Sequence, residues 1–197
     1  MRKEMNLQYL ERYLPTLSND ISAAEKELRA EDNQYHRRAF VRALFAAIEG
    51  WIYHKMSYAL QIARKKPDLF TAGEIALLLG EAYSLDTKGN VISYPKYSAL
   101  AQSFLFAMRM STKGYEPILV DTSSKGWMAF NESIRIRNRL THPKSLEDFT
   151  VSDSDLQTAF MTSLWFPKEI DSHGAKLEAQ MKKELERMQK LIKKDAR

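Results

Sequence analysis

The sequence predicts an all-α protein, a helical bundle of about six or seven helices built round one long central helix. Three observations carry that prediction. The 197-residue chain holds only seven glycines and six prolines against 44% hydrophobic residues, a composition that suits packed helices better than turn-rich sheets. Residues 33–66, "NQYHRRAFVRALFAAIEGWIYHKMSYALQIARKK", run without proline. On a helical wheel Phe40, Val41, Leu44, Phe45, Ile48, Trp51, Ile52, Met56 and Ala59 share one wide arc there, as expected of a helix touched by several others. Helix-capping patterns, finally, precede most of the other stretches of helical period.

The elements follow in order. After a short amphipathic start, Pro15 is expected to interrupt, and a second helix to run from about Leu17 to Arg29 with Ser18 or Asn19 as its cap. The central helix comes next. In "TAGE", Thr71 and Glu74 have capping-box spacing, so "EIALLLGEAY" reads as a short helix. Residues 84–97 break the pattern round a Lys-Gly-Asn turn signal, as a small hairpin or an irregular loop. Helical period resumes in "YSALAQSFLFAMRMS", and "KGYEPILVDTSS" breaks it again. Asp121 to Ser124 offer caps for a helix over 122–142, which Pro143 ends because the residue before proline avoids the helical region. Ser152 and Asp155 repeat the capping-box spacing and start a last helix, expected to break near Pro167 and Gly174.

The length suits a single domain over 1–197. No cysteine is present, so disulfides, thiol nucleophiles and cysteine-ligated metals are excluded, and a reducing compartment, the cytoplasm, is expected. No apolar leader or membrane-length apolar run occurs, so no membrane partner is expected. Residues 176–197 carry eight basic against four acidic side chains, most of the formal charge of +5. This basic amphipathic C-terminal helix has a rough heptad seam of Leu177, Met181, Glu184 or Leu185, Met188 and Leu191 or Ile192. The seam suits packing on its own domain or on a dimer partner, and the charge suits a solvated face or nucleic acid.

The chemistry concentrates in "NESIRIRNRLTHPK", 131–144. Trp127, Phe130 and Ile134 define an apolar stripe, and Arg137, Asn138, Thr141 and His142 continue it, as a polar cluster at the mouth of an apolar groove. Arg135 and Arg139 point elsewhere, to solvent and the helix terminus. A guanidinium that loses water without gaining a partner costs free energy, so an anion is a natural occupant. Basic residues also simply complement the carbonyl end of a helix.

"IRNRLTHP" resembles the signature of the HEPN superfamily, the higher eukaryotes and prokaryotes nucleotide-binding domains: Arg, a polar residue, and His after four to six intervening positions. Arg137, Asn138 and His142 match it, and 33–66 and 122–165 resemble the helices that surround the motif. The segment 67–121 and the tail match nothing in it. The resemblance implies a metal-independent ribonuclease that acts as a homodimer on RNA, in a toxin–antitoxin or phage-defence role, with an antitoxin or regulatory protein as a further partner. It implies Arg137, Asn138 and His142 as catalytic residues, and Glu49 on the central helix as a supporting acid. A non-catalytic module of the same kind, binding nucleotide, nucleic acid or protein, is the alternative.

The residue types suit that chemistry. Histidine exchanges protons near neutral pH, arginine holds phosphate oxygens, and a 2′-hydroxyl is the nucleophile that RNA supplies. Neither cofactor nor metal is called for: His36, His54, His142 and His173 show no ligand spacing, and Gly73, Gly80 and Gly89 form no phosphate loop. Arg137 and His142 lie about 140° apart on a helix, so they can meet one phosphate only if the chain unwinds before Pro143 or if each comes from a different protomer. His54 and Lys55 are weaker candidates for the same cleft, and Trp51, Trp127 and Trp165 suit the core better than base stacking.

Overall fold

The computed structural model describes the backbone of residues 7–195 and the side chains of 12–193. The first residues of the amphipathic start and the last two of the basic tail lie outside that range. The described chain is an all-α bundle with six helices: α1 (Leu7–Ala30), α2 (Gln34–Lys65), α3 (Ala72–Leu79), α4 (Leu100–Met110), α5 (Lys125–Thr141) and α6 (Asp153–Asp195). One antiparallel hairpin, β1 (Glu81–Leu85) and β2 (Val91–Pro95), is the exception to the helical rule.

The central helix is α2, and α1, α3, α4, α5 and α6 all touch it. Its arc is the expected one: Phe40, Val41, Leu44, Phe45, Ile48, Ile52 and Ala59 are buried, with Trp51 and Met56 packed at the edge. Asn33 caps it by accepting the His36 N–H at 3.0 Å. Phe104, Trp127, Phe130, Trp165 and Phe166 interlock beside it and join α4, α5 and α6. A smaller cluster of Ala59, Ala63, Phe70, Leu78 and Met110 seats α3 against the far end of α2.

Both capping boxes form. Thr71 accepts the Glu74 N–H while Glu74 accepts the Thr71 N–H, and Ser152 and Asp155 do the same for α6. Gly80 ends α3 in the left-handed conformation at φ 69°, where a glycine is least strained. Residues 84–97 resolve the two readings offered above in favour of the hairpin, which begins earlier, at Glu81, and turns through Asp86, whose carboxylate accepts the Lys88 and Asn90 N–H groups.

Two expected breaks do not occur. α1 runs through Pro15, so Ser18 and Asn19 are interior residues rather than caps. α6 runs unbroken through Pro167 and Gly174. Both prolines are on solvent-exposed faces, where water can satisfy the carbonyl that each leaves without its helical donor. No described helix is long and apolar enough to cross a membrane.

Candidate functional site

Helix α5 is fixed at its start and along its middle. Ser124 caps its start by accepting the Trp127 N–H at 3.1 Å. Gly126 lets α6 come close, because a Cβ there would sit 2.0 Å from Trp165 Cδ1. Ser133 and Thr162, both fully buried, share a hydroxyl hydrogen bond of 2.8 Å between α5 and α6.

This packing corrects the expected stripe. The buried face of α5 is Ala129, Phe130, Ser133, Ile136 and Leu140, with Trp127 and Ile134 at its edge. Ser133 disguised it: a hydroxyl in mid-stripe reads as polar until Thr162 is known to meet it. The stripe therefore stays apolar to its end, and the polar cluster lies on its flank, not at the mouth of a groove. Asn138, Thr141 and His142 are exposed and Arg137 is half-buried.

Arg137, Asn138 and Glu49 come together. The Arg137 guanidinium donates through Nη2 to the Glu49 carboxylate on α2, and through Nη1 to Asn138 Oδ1 at 3.0 Å. The side chains of Arg137 and Glu49 are 29% and 41% exposed, so the pair faces water on one side. Asn138 also joins His142, whose N–H donates to the Asn138 carbonyl at 2.9 Å. His142 is the first residue off the helix, at φ −128° and ψ 61°. The helix thus holds all four residues between Arg137 and His142 and opens only at His142 itself, the residue before Pro143.

The segment after His142 is anchored firmly. Asp148 accepts the Lys144 and Ser145 N–H groups at 2.7 and 3.1 Å. Gln34 on α2 makes a two-way hydrogen bond with the Val151 backbone, at 3.0 and 2.8 Å. Arg37 bridges Asp32 and Asp153, and those carboxylates raise its pKa further above the ordinary arginine value. Arg139, expected to face solvent, instead binds Asp155 at 2.8 Å and the Thr150 carbonyl at 2.9 Å. It is a brace between α5 and α6. No spacing rule pointed to Gln34, Arg37 or Arg139 as anchors of this segment, because the partners that tie them to it, Val151, Asp153, Thr150 and Asp155, lie more than ten residues away in sequence. Arg135 does face solvent and pairs with Glu132 one turn back.

The other candidates lie elsewhere. Trp127 and Trp165 belong to the aromatic cluster of the core. Lys55 lies over the Trp51 ring, 5.7 Å from its centre, and burial lowers its pKa; His54 meets the same ring edge-on. His173 is buried under α4, where Nε2 donates to the Met108 carbonyl at 3.1 Å; burial, then the Lys55 charge, holds it below its ordinary value.

Of the two packings expected for the tail seam, on its own domain or on a dimer partner, the first does not occur. Met181, Leu185, Met188, Leu191 and Ile192 are 45, 56, 50, 53 and 69% exposed, so the seam does not close on its own domain. Between it and the end of α2 lies a groove of about 1110 Å³. Compared with protein-family models, with curated proteins and with solved structures, the chain matches none.

Proposed function

We propose that the chain is a metal-independent endoribonuclease of the HEPN type, cleaving RNA in a toxin–antitoxin or phage-defence setting. The observation that carries the reading is the pairing of Glu49 with Arg137 beside Asn138, with His142 exposed at the first non-helical position of the same segment. A conformationally held guanidinium on the same short segment as an accessible imidazole suits phosphate chemistry.

In the proposed reaction His142 takes the proton of the 2′-hydroxyl, whose oxygen attacks the adjacent phosphorus. Arg137 turns from Glu49 to the non-bridging oxygens and stabilises their growing charge. The bond to the 5′-oxygen breaks, and that oxygen leaves with a proton supplied by an acid. One chain brings a single histidine to this segment, so the acid is His142 of a second copy across a two-fold axis. The products are a 2′,3′-cyclic phosphate and a 5′-hydroxyl, and DNA, lacking the nucleophile, resists.

One observation favours the alternative, a non-catalytic module that binds nucleotide, nucleic acid or protein. Glu49 and Asn138 already occupy the Arg137 guanidinium, as they would in a purely structural clamp between α2 and α5. One experiment separates the two. Labelled RNA is incubated in EDTA with wild type, His142→Ala and Arg137→Ala. Cleavage by wild type alone, leaving cyclic-phosphate ends, supports the enzyme. No cleavage of any RNA, with no growth defect on expression, overturns it.

A further inference from the structure

The groove along the tail is a second feature, remote from Arg137. Asp155, which Arg139 holds, and Met181 are separated by about 40 Å along α6 at 1.5 Å per residue. The groove's floor is apolar, with Ile62 from α2 facing Leu177, Met181 and Met188 from α6. Its rim is basic: six lysines and arginines against Glu116, Glu184 and Glu186. Lys113 is neutralised by Glu74 at 2.8 Å and Arg187 sits 3.6 Å from Glu184, which leaves Lys65, Lys66, Lys183 and Lys190 against Glu116 and Glu186, so the rim stays net positive.

We propose that this groove docks an acidic amphipathic helix of a partner protein, whose apolar face replaces water over the Met181–Met188 floor and whose carboxylates meet Lys65, Lys66, Lys183 and Lys190. Helices bind such grooves through apolar anchors one turn apart, and methionines adapt their shape to the ligand. Charge decides the occupant. A second copy of this tail is itself basic and would set lysine against lysine. A nucleic acid would gain the lysines, and Tyr58 and Tyr115 also line the groove, but a phosphate backbone would leave the aliphatic floor of Ile62, Leu177, Met181 and Met188 without an apolar partner, which an amphipathic helix supplies. The docking is independent of the ribonuclease reading and holds whether or not RNA is cleaved.

The test uses the full chain and a fluorescent synthetic helix of about 20 residues, with leucines at positions i, i+3, i+4 and i+7 and glutamates elsewhere. Its lysine-for-glutamate counterpart, a single-stranded RNA and anionic phosphatidylglycerol vesicles are run beside it. The acidic peptide is expected to bind with a Kd of about 1–50 µM, to weaken as salt rises, and to lose at least about tenfold in affinity with Met188→Glu. Lys183→Glu with Lys190→Glu leaves the apolar seam intact and should reverse the preference toward the basic peptide. Circular dichroism confirms that both variants keep their helix. Equal binding of the two peptides, no binding, tighter binding of RNA or vesicles, or a dimer that Met188→Glu disperses in sedimentation would each overturn the proposal.

Discussion

Exchanging the charges of the Glu49–Arg137 pair separates what the pair does for the fold from what Arg137 does for chemistry. Both side chains are partly open to solvent, at 41% and 29% exposure, so water screens the attraction and the pair is worth at most about 1 kcal/mol. In a protein of this size 1 kcal/mol moves Tm by about 2–4 °C. Glu49→Gln, which still accepts a hydrogen bond from Arg137, should therefore lower Tm by no more than about 4 °C in a calorimetric scan. Glu49→Arg should cost more, because it sets two guanidiniums face to face. The double variant Glu49→Arg with Arg137→Glu restores opposite charges and should regain most of that loss, the signature of a direct pairwise coupling. RNA cleavage should not return with it, since a carboxylate at 137 repels the phosphate that arginine would hold. If the swap restores cleavage together with stability, Arg137 acts only as a clamp and its catalytic assignment falls. A fall of more than about 8 °C for Glu49→Gln would instead refute the screening argument.

Two further expectations concern the scaffold. Gly126→Ala should destabilise by about 1–3 kcal/mol, because its Cβ would collide with Trp165 Cδ1 and Cγ at 2.0 and 2.2 Å and the indole is wedged among Phe104, Trp127 and Phe130; Gly73→Ala, with nothing within 4 Å, should leave Tm unchanged or raise it, and equal effects in thermal melts would refute the close-approach argument. His173 is held below its ordinary value of 6.5 chiefly by burial, so the unfolded chain binds its proton first as pH falls. Stability should therefore be full above about pH 6.5 and decline below it, and His173→Gln should flatten that decline in melts between pH 7 and 5.

Local signals carried far in this chain. The Thr71–Glu74 and Ser152–Asp155 boxes and the Ser124 cap depend on neighbours three residues apart, so spacing alone locates those helix starts. The arc of α2 was readable because a helix surrounded by five others buries most of its apolar positions. The stripe of α5 was not, since its centre holds a serine whose burial is tolerable only because Thr162 approaches from α6. Pro15 and Pro167 misled for a related reason: whether a proline ends a helix depends on what satisfies the freed carbonyl, and that is a matter of which face meets water.

At the candidate site, the motif itself brought Arg137, Asn138 and His142 to attention, and helical geometry dictated that Arg137 and His142 diverge unless the helix stops between them. The order of residues determined the caps, the helical period and the unwinding ahead of Pro143, all of which act within a turn or two of chain. Only the tertiary structure decided that Glu49, 88 residues from Arg137, takes its guanidinium, that Arg139 braces α6, and that the tail seam stays open beside a basic groove. Those outcomes depend on which helix faces pack together and how much water each pairing excludes, quantities that belong to the assembled bundle and to no segment of it.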